Sequence, residues 1–113
     1  MAYVSIHTPH GIILGDKILY ANTPWLRIRG LLGRKRLEEG EGILITPCFS
    51  IHTWGMGFPI DLLFLSRKKE ILKIVQNLPP FRMAICWKAH MVLELPAGKG
   101  MACRIGEGVT ILY

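Results

Sequence analysis

Hydrophobic positions along the chain fall in short runs rather than in long helical stripes. The most apolar run, Ile60 to Leu65, is continuous and bounded by Pro59 and the polar turn Ser66-Arg67-Lys68-Lys69-Glu70. A run of that length between turn signals predicts a strand covered on both faces. Ile71 to Gln76, apolar at 71, 72, 74 and 75, is placed to return antiparallel to it. Tyr3 to Ile6 alternates as a strand does, and Pro9 and Gly11 break it. Ile12 to Leu14 and Lys17 to Ala21 flank Gly15-Asp16, where a glycine at the first position of a two-residue connection predicts a type II′ hairpin. Ile43 to Thr46, stopped by Pro47, and Met91 to Leu95 and Val109 to Leu112 complete the strands. In Met91 to Leu95 the lone charge, Glu94, faces opposite to Leu93 and Leu95.

The connecting segments read as turns. Asn77 to Phe81, NLPPF, predicts a loop, because two successive prolines supply no ladder donors. Ala97 to Ile105 leaves room for one helical turn, and Gly106-Glu107-Gly108 turns the chain. Pro47 to Pro59 holds too much Gly and Pro for a regular element. One segment carries a helical period: Asn22 or Thr23 before Pro24 is a helix-start signal, and Trp25, Ile28, Leu31 and Leu32 follow at three- and four-residue spacings, with Arg27 and Arg34 on another face. Seven or eight short strands with one short helix, about Pro24 to Leu32, predict a mainly β single domain over 1–113, a sandwich or small barrel.

Composition narrows the class. Half the residues are hydrophobic and 19% are charged, which fits a packed core and excludes a disordered tail. Cys48, Cys86 and Cys103 are odd in number and irregular in spacing, so neither a disulfide framework nor a paired CxxC zinc site is expected, and a reducing compartment fits. The N-terminal stretch lacks the features of an export signal and no apolar run reaches about 18 residues, so the expectation is a cytoplasmic protein without a transmembrane helix. A net charge of +6 and a pI near 9.6 favour encounter with anionic partners without defining a site. The densest basic run, Arg34-Lys35-Arg36 with Arg27 and Arg29 upstream, has only Trp25 nearby for stacking and is followed by the acidic LEEGEG turn. It reads as a solvated face rather than a nucleic-acid interface.

The order of several motifs carries a resemblance. Arg27-Ile28-Arg29-Gly30-Leu31-Leu32-Gly33-Arg34, Gly42-Ile43-Leu44-Ile45, His52-Thr53 with Met56, Pro59-Ile60-Asp61, Phe64-Leu65, Leu93-Glu94-Leu95-Pro96-Ala97-Gly98, and Gly106 with Gly108 together resemble the domain-of-unknown-function 192 family, also called uncharacterised protein family 0127. The resemblance implies a jelly-roll-like β-sandwich and supplies no catalytic roles. It also implies relatives in more than one compartment, many exported or lipid-anchored and some cytoplasmic. The chain departs from the family pattern at Gly55 and Gly57, which flank Met56, and at the Ser66 to Lys69 turn.

Candidate chemistry concentrates in Pro47 to Leu65. Cys48, His52 and Met56 stand four apart and are soft or borderline ligands of the kind Cu(I) takes, although Pro47, Gly55, Gly57 and Pro59 work against the helix that would align them. Cys48, His52 and Asp61 supply the residue types of a thiol nucleophile, base and orienting carboxylate, with nothing to fix their geometry. Asp61 serves equally as a structural carboxylate paired with Arg27, Arg34 or a backbone N–H. Trp54 and Trp87, with the NLPPF prolines, are either core or an exposed patch for a protein partner.

The leading reading is a binding module for a small ligand, anionic ligands included, or for a protein partner, through a cleft formed by His52, Trp54, Asp61, Arg27 and Arg34. The alternative is a copper protein using Cys48, His52 and Met56. A Cys/His enzyme and a nucleic-acid binder come after these, and neither a catalytic residue nor a cofactor is predicted.

Overall fold

The computed structural model describes residues 2–24, 26, 36–54 and 56–113. Nine strands lie within them: β1 (Tyr3–His7), β2 (Ile13–Ala21), β3 (Glu41–Ile45), β4 (Ser50–His52), β5 (Ile60–Leu65), β6 (Ile71–Leu78), β7 (Met83–Ile85), β8 (Met91–Pro96) and β9 (Thr110–Leu112). Seven form one sheet in the order β6-β5-β8-β3-β2-β1-β9, and β4 pairs with β7 in a separate two-stranded ribbon. Only β2 and β3 run parallel, which requires the long connection over residues 22–40 between them. The mainly β expectation holds, in the form of a curled half-barrel with a ribbon laid on it.

Every residue of β5 is buried, and so is every residue of β8 before Pro96. Strand alternation therefore feeds two cores. The inner one gathers Leu63, Leu65, Leu93, Leu95, Leu44 and Ile18 with Ile71 from one edge strand and Ile111 from the other, so it fills the curl. The outer one gathers Ile43, Ile45, Leu62, Phe64 and Val92 under Ile51 and Ala84 of the ribbon and under Met56, with Leu26, Leu37 and Phe58 packed against it. Backbone hydrogen bonds nearly close the curl: Ile71 N–H donates to Glu107 O at 2.8 Å and Val109 N–H to Lys69 O at 2.9 Å.

Several expectations need correction. No hairpin forms at Gly15-Asp16: β2 runs straight through, and Gly15 lacks the positive φ that a type II′ turn demands. It marks an irregularity instead, where the register passes from Val4↔Ile18 to Ile6↔Gly15 and a Cβ on residue 15 would lie 2.8 Å from Gly40 O. The actual β1–β2 turn is at Pro9-His10-Gly11, where Thr8 Oγ1 accepts the Ile12 N–H at 3.1 Å and Gly11 takes φ +82°. β6 extends through Asn77 to Leu78, so NLPPF begins inside a strand. Pro47 to Pro59 does contain a regular element, β4.

Helix is sparse in the described residues. A single 3-10 turn, Lys99–Ala102, occupies the place where a helical turn was expected. Thr23 Oγ1 accepts the Leu26 N–H at 3.2 Å, as a helix-capping hydroxyl does. The rest of the expected Pro24 to Leu32 helix, with Trp25, Arg27 and Arg34, lies outside the described residues.

Candidate functional site

Asp61 is fully buried on the inner face of β5, and its carboxylate is occupied by the backbone. Oδ1 accepts the Asn77 N–H at 2.7 Å, and Oδ2 accepts Gly98 N–H at 3.0 Å and Gly100 N–H at 2.7 Å. The sequence explains why these donors can converge. Gly98 holds a left-handed φ of +103°, and a Cβ on Gly100 would lie 2.9 Å from Oδ2, so glycine is the residue that lets both N–H groups reach one oxygen. The Pro59-Ile60-Asp61 and Leu93 to Gly98 motifs thus meet at one point. Among the described residues the carboxylate meets backbone N–H groups, one of the partners considered for it, while Arg27 and Arg34 lie outside those residues; charge-assisted bonds of this kind are the strong ones.

The β4–β7 ribbon presents the other conspicuous side chains. Ile51 and Ala84, directly paired, turn inward; His52 and Met83, also paired, turn outward. The His52 ring packs 5.6 Å from that of Trp54. Trp54 is 55% exposed, Met83 64% and Phe81 69%, an unusual density of open apolar surface. At the other end of the ribbon Phe49 and Trp87 stack with ring centroids 5.1 Å apart, and Trp87 is 76% exposed.

Thr53 builds this surface. Its hydroxyl donates to Pro79 O at 2.7 Å and accepts the Arg82 N–H at 2.9 Å, while its backbone N–H donates to Arg82 O at 2.8 Å. Phe81 N–H reaches Thr53 O at 3.3 Å, and Phe81 is held at φ +63°, where a bulky residue is rare. One buried threonine therefore clamps the loop carrying Phe81 to the turn carrying Trp54. A Thr53→Val variant is expected to lose about 1–3 kcal/mol, since two backbone groups lose their partner. Urea unfolding checks the loss, and faster amide exchange at Arg82 reports the loosened loop; an unchanged exchange rate there would refute the clamp.

The other sequence candidates differ in burial. Met56 is buried in the outer core, and Cys48, half-buried, donates its thiol to Ser50 O at 3.2 Å, whereas His52 is exposed. Among the described residues no group of three or more His, Cys, Asp or Glu side chains could hold a metal ion. All three cysteines are thiols. Burial, with the charges of Glu107 and Asp61 adding to it, pushes the Cys103 thiol up to about 11, which keeps it protonated and unreactive at neutral pH. Arg36 pairs with Glu38 at 2.7 Å in solvent, and the rest of the basic run, Arg34 and Lys35 with Arg27 and Arg29, lies outside the described residues. In the sequence Thr53 stands out only within the His52-Thr53 motif, and Phe81 and Met83 do not stand out as contact residues, because the two strands beside them are three residues each and too short to announce a period.

A half-barrel with an aromatic ribbon on its outer face, tied together at Asp61, defines a small mainly β module. The chain belongs to the DUF192 family, described as uncharacterized ACR, whose profile matches residues 6–113. The fold is similar to that of a "putative transcription regulator" from Sinorhizobium meliloti 1021, with a TM-score of 0.81 at 22% identity over 97% of this chain and 95% of that one. It is also similar to a protein of unknown function from Novosphingobium aromaticivorans DSM 12444, with a TM-score of 0.80 at 20% identity over 95% of this chain and 82% of that one. At such identities the likeness is one of fold. No curated protein matches the sequence. Among the described residues no helix is long and apolar enough to cross a membrane.

Proposed function

We propose that the protein is a binding module whose contact surface is the outward face of the β4–β7 ribbon, centred on His52 and Trp54. The observation that carries this reading is the cluster of open apolar side chains, Trp54, Phe81 and Met83, around a histidine on a ribbon whose inner face is anchored in the core. Leaving such side chains in water forgoes roughly 1.5–3 kcal/mol each that burial would supply, so a surface that holds several together is fitted to a partner. Thr53 fixes their positions before any partner arrives, which lowers the ordering cost of association. Asp61 supports the fold beneath this surface and takes no part in the contact.

The test is site-specific photocrosslinking in cells. A photoreactive phenylalanine analogue placed at Met83 should give an adduct of defined composition, while the same group at Met101, another exposed methionine that lies on the 3-10 turn, should not. Equal labelling from both positions, or none from position 83, would remove the ribbon as the contact surface.

A further inference from the structure

The charges around the ribbon have one sign. From Pro47 to Ile60 there is no charged residue other than histidine, and from Leu78 to Val92 the only formal charges are Arg82 and Lys88. Both are exposed. Lys73 joins them from β6, donating to Ile85 O at 2.9 Å on the ribbon itself. The acidic residues stand elsewhere: Asp61 and Glu94 are buried, Asp16 lies on β2, Glu70 bridges to Gly108 at the start of β6, Glu107 lies on the turn before β9 beside His10, and Glu38, Glu39 and Glu41 cluster at the start of β3, where Lys99 pairs with Glu39. The ribbon region therefore combines exposed aromatics with cations and carries no carboxylate.

The aromatics sit on turns at the two ends of the ribbon. Trp54 and Phe81 mark one end, and Phe49 and Trp87 the other. Three strand residues separate the ends, about 10 Å at the usual rise. Two sets of projecting rings with cations between and beside them match an interface whose apolar layer lies just beneath an anionic one. Tryptophan has an apolar body and a polar N–H suited to that boundary. Lysine and arginine gain by approach to anionic headgroups.

We propose that the ribbon docks the protein onto the surface of an anionic lipid bilayer, with Trp54, Phe81, Met83 and Trp87 entering the headgroup layer and Lys73, Arg82 and Lys88 meeting lipid phosphates. This rests on the reading of the ribbon as the contact surface and names what it contacts. Binding of this kind is peripheral and reversible, since it combines shallow apolar insertion with a screened electrostatic attraction.

Vesicle flotation tests it with the full chain. The parent should float with vesicles of phosphatidylcholine and phosphatidylglycerol in a two-to-one ratio, remain below with pure phosphatidylcholine, and be released by high salt. An Arg82→Gln, Lys88→Gln variant should partition about twenty-five-fold more weakly, two cations each contributing roughly a factor of five. A Trp54→Ala, Trp87→Ala variant, confirmed as folded by its unfolding midpoint, should not float. A parent that fails to float with the anionic vesicles, or a double tryptophan variant that floats as well as the parent, overturns the proposal. If flotation fails while position 83 still crosslinks to a protein, the lipid assignment falls and the ribbon remains a contact surface; if crosslinking fails as well, both fall.

Discussion

An Asp61→Ala variant loses on the order of 4 kcal/mol of stability, measured as a lower urea midpoint at unchanged slope. Three backbone N–H groups, of Asn77, Gly98 and Gly100, lose a charged acceptor at once. The Gly100 bond is the most buried of them, so its donor has the least recourse to water and carries the largest penalty. For a domain whose whole stability is roughly 5–15 kcal/mol, a loss of this size approaches unfolding at the low end of that range. The effect is not one of packing volume alone, because the carboxylate ties three separate segments: β5, the end of β6 and the 3-10 turn.

Asp61→Asn separates the geometry from the charge. The amide oxygen can replace Oδ2 and accept from Gly98 and Gly100, but the amide nitrogen then faces the Asn77 N–H, donor against donor. Its midpoint should fall between those of the parent and the alanine variant. An alanine variant as stable as the parent would show that the three N–H groups find other acceptors, and the account of Asp61 as the tie between the two motifs would be wrong.

What the sequence disclosed and what it hid divide along range. The burial of Ile60 to Leu65, its antiparallel partner from Ile71 onward and the opposed facing of Glu94 follow from local pattern, and the sheet reproduces them. A backbone N–H partner for Asp61 was one of three possibilities in the sequence; which N–H groups was not legible, since Gly98 and Gly100 lie 37 and 39 residues away. The ribbon escaped for the same reason. Ser50–His52 and Met83–Ile85 are three residues each, too short to announce a period, and they form strands because tertiary packing of Ile51 and Ala84 holds them side by side. Gly15-Asp16 misled because a glycine that permits a tight turn is also a glycine that permits close approach of another backbone, and the choice depends on Gly40, far along the chain. His52 and Trp54 were visible as candidates, but their exposed placement beside Met83 and Phe81 came only with the pairing of β4 and β7.

Stability should fall as pH rises from about 4.5 to 8, and Glu94 is the reason. Its side chain lies on the outer face of β8 between Ile43 of β3 and Leu62 of β5, and Oε2 has no hydrogen-bond partner among the described residues. Burial pushes its pKa up to about 8 from an ordinary value of 4.5, because the ionised form has lost its water without gaining a partner. Between those values the folded chain holds a proton that the unfolded chain has released. Stability is therefore fully present below the unfolded pKa, declines through the interval and levels off once the folded carboxyl ionises, a loss of about 5 kcal/mol at the upper limit.

Glu94→Gln abolishes the proton uptake and should flatten this contribution, so that the variant is the more stable protein at pH 8.5 while the two are similar near pH 5. Glu94→Leu goes further, placing an aliphatic side chain beside Ile43 and Leu62 and leaving no polar atom to desolvate. Urea midpoints of parent and variants across this range give the result. Equal pH profiles for parent and Glu94→Gln would mean that the carboxyl ionises freely in the fold, through water or a counter-charge reaching Oε2. The difference between the curves, rather than either curve alone, isolates Glu94, because every other ionisable side chain is common to both proteins.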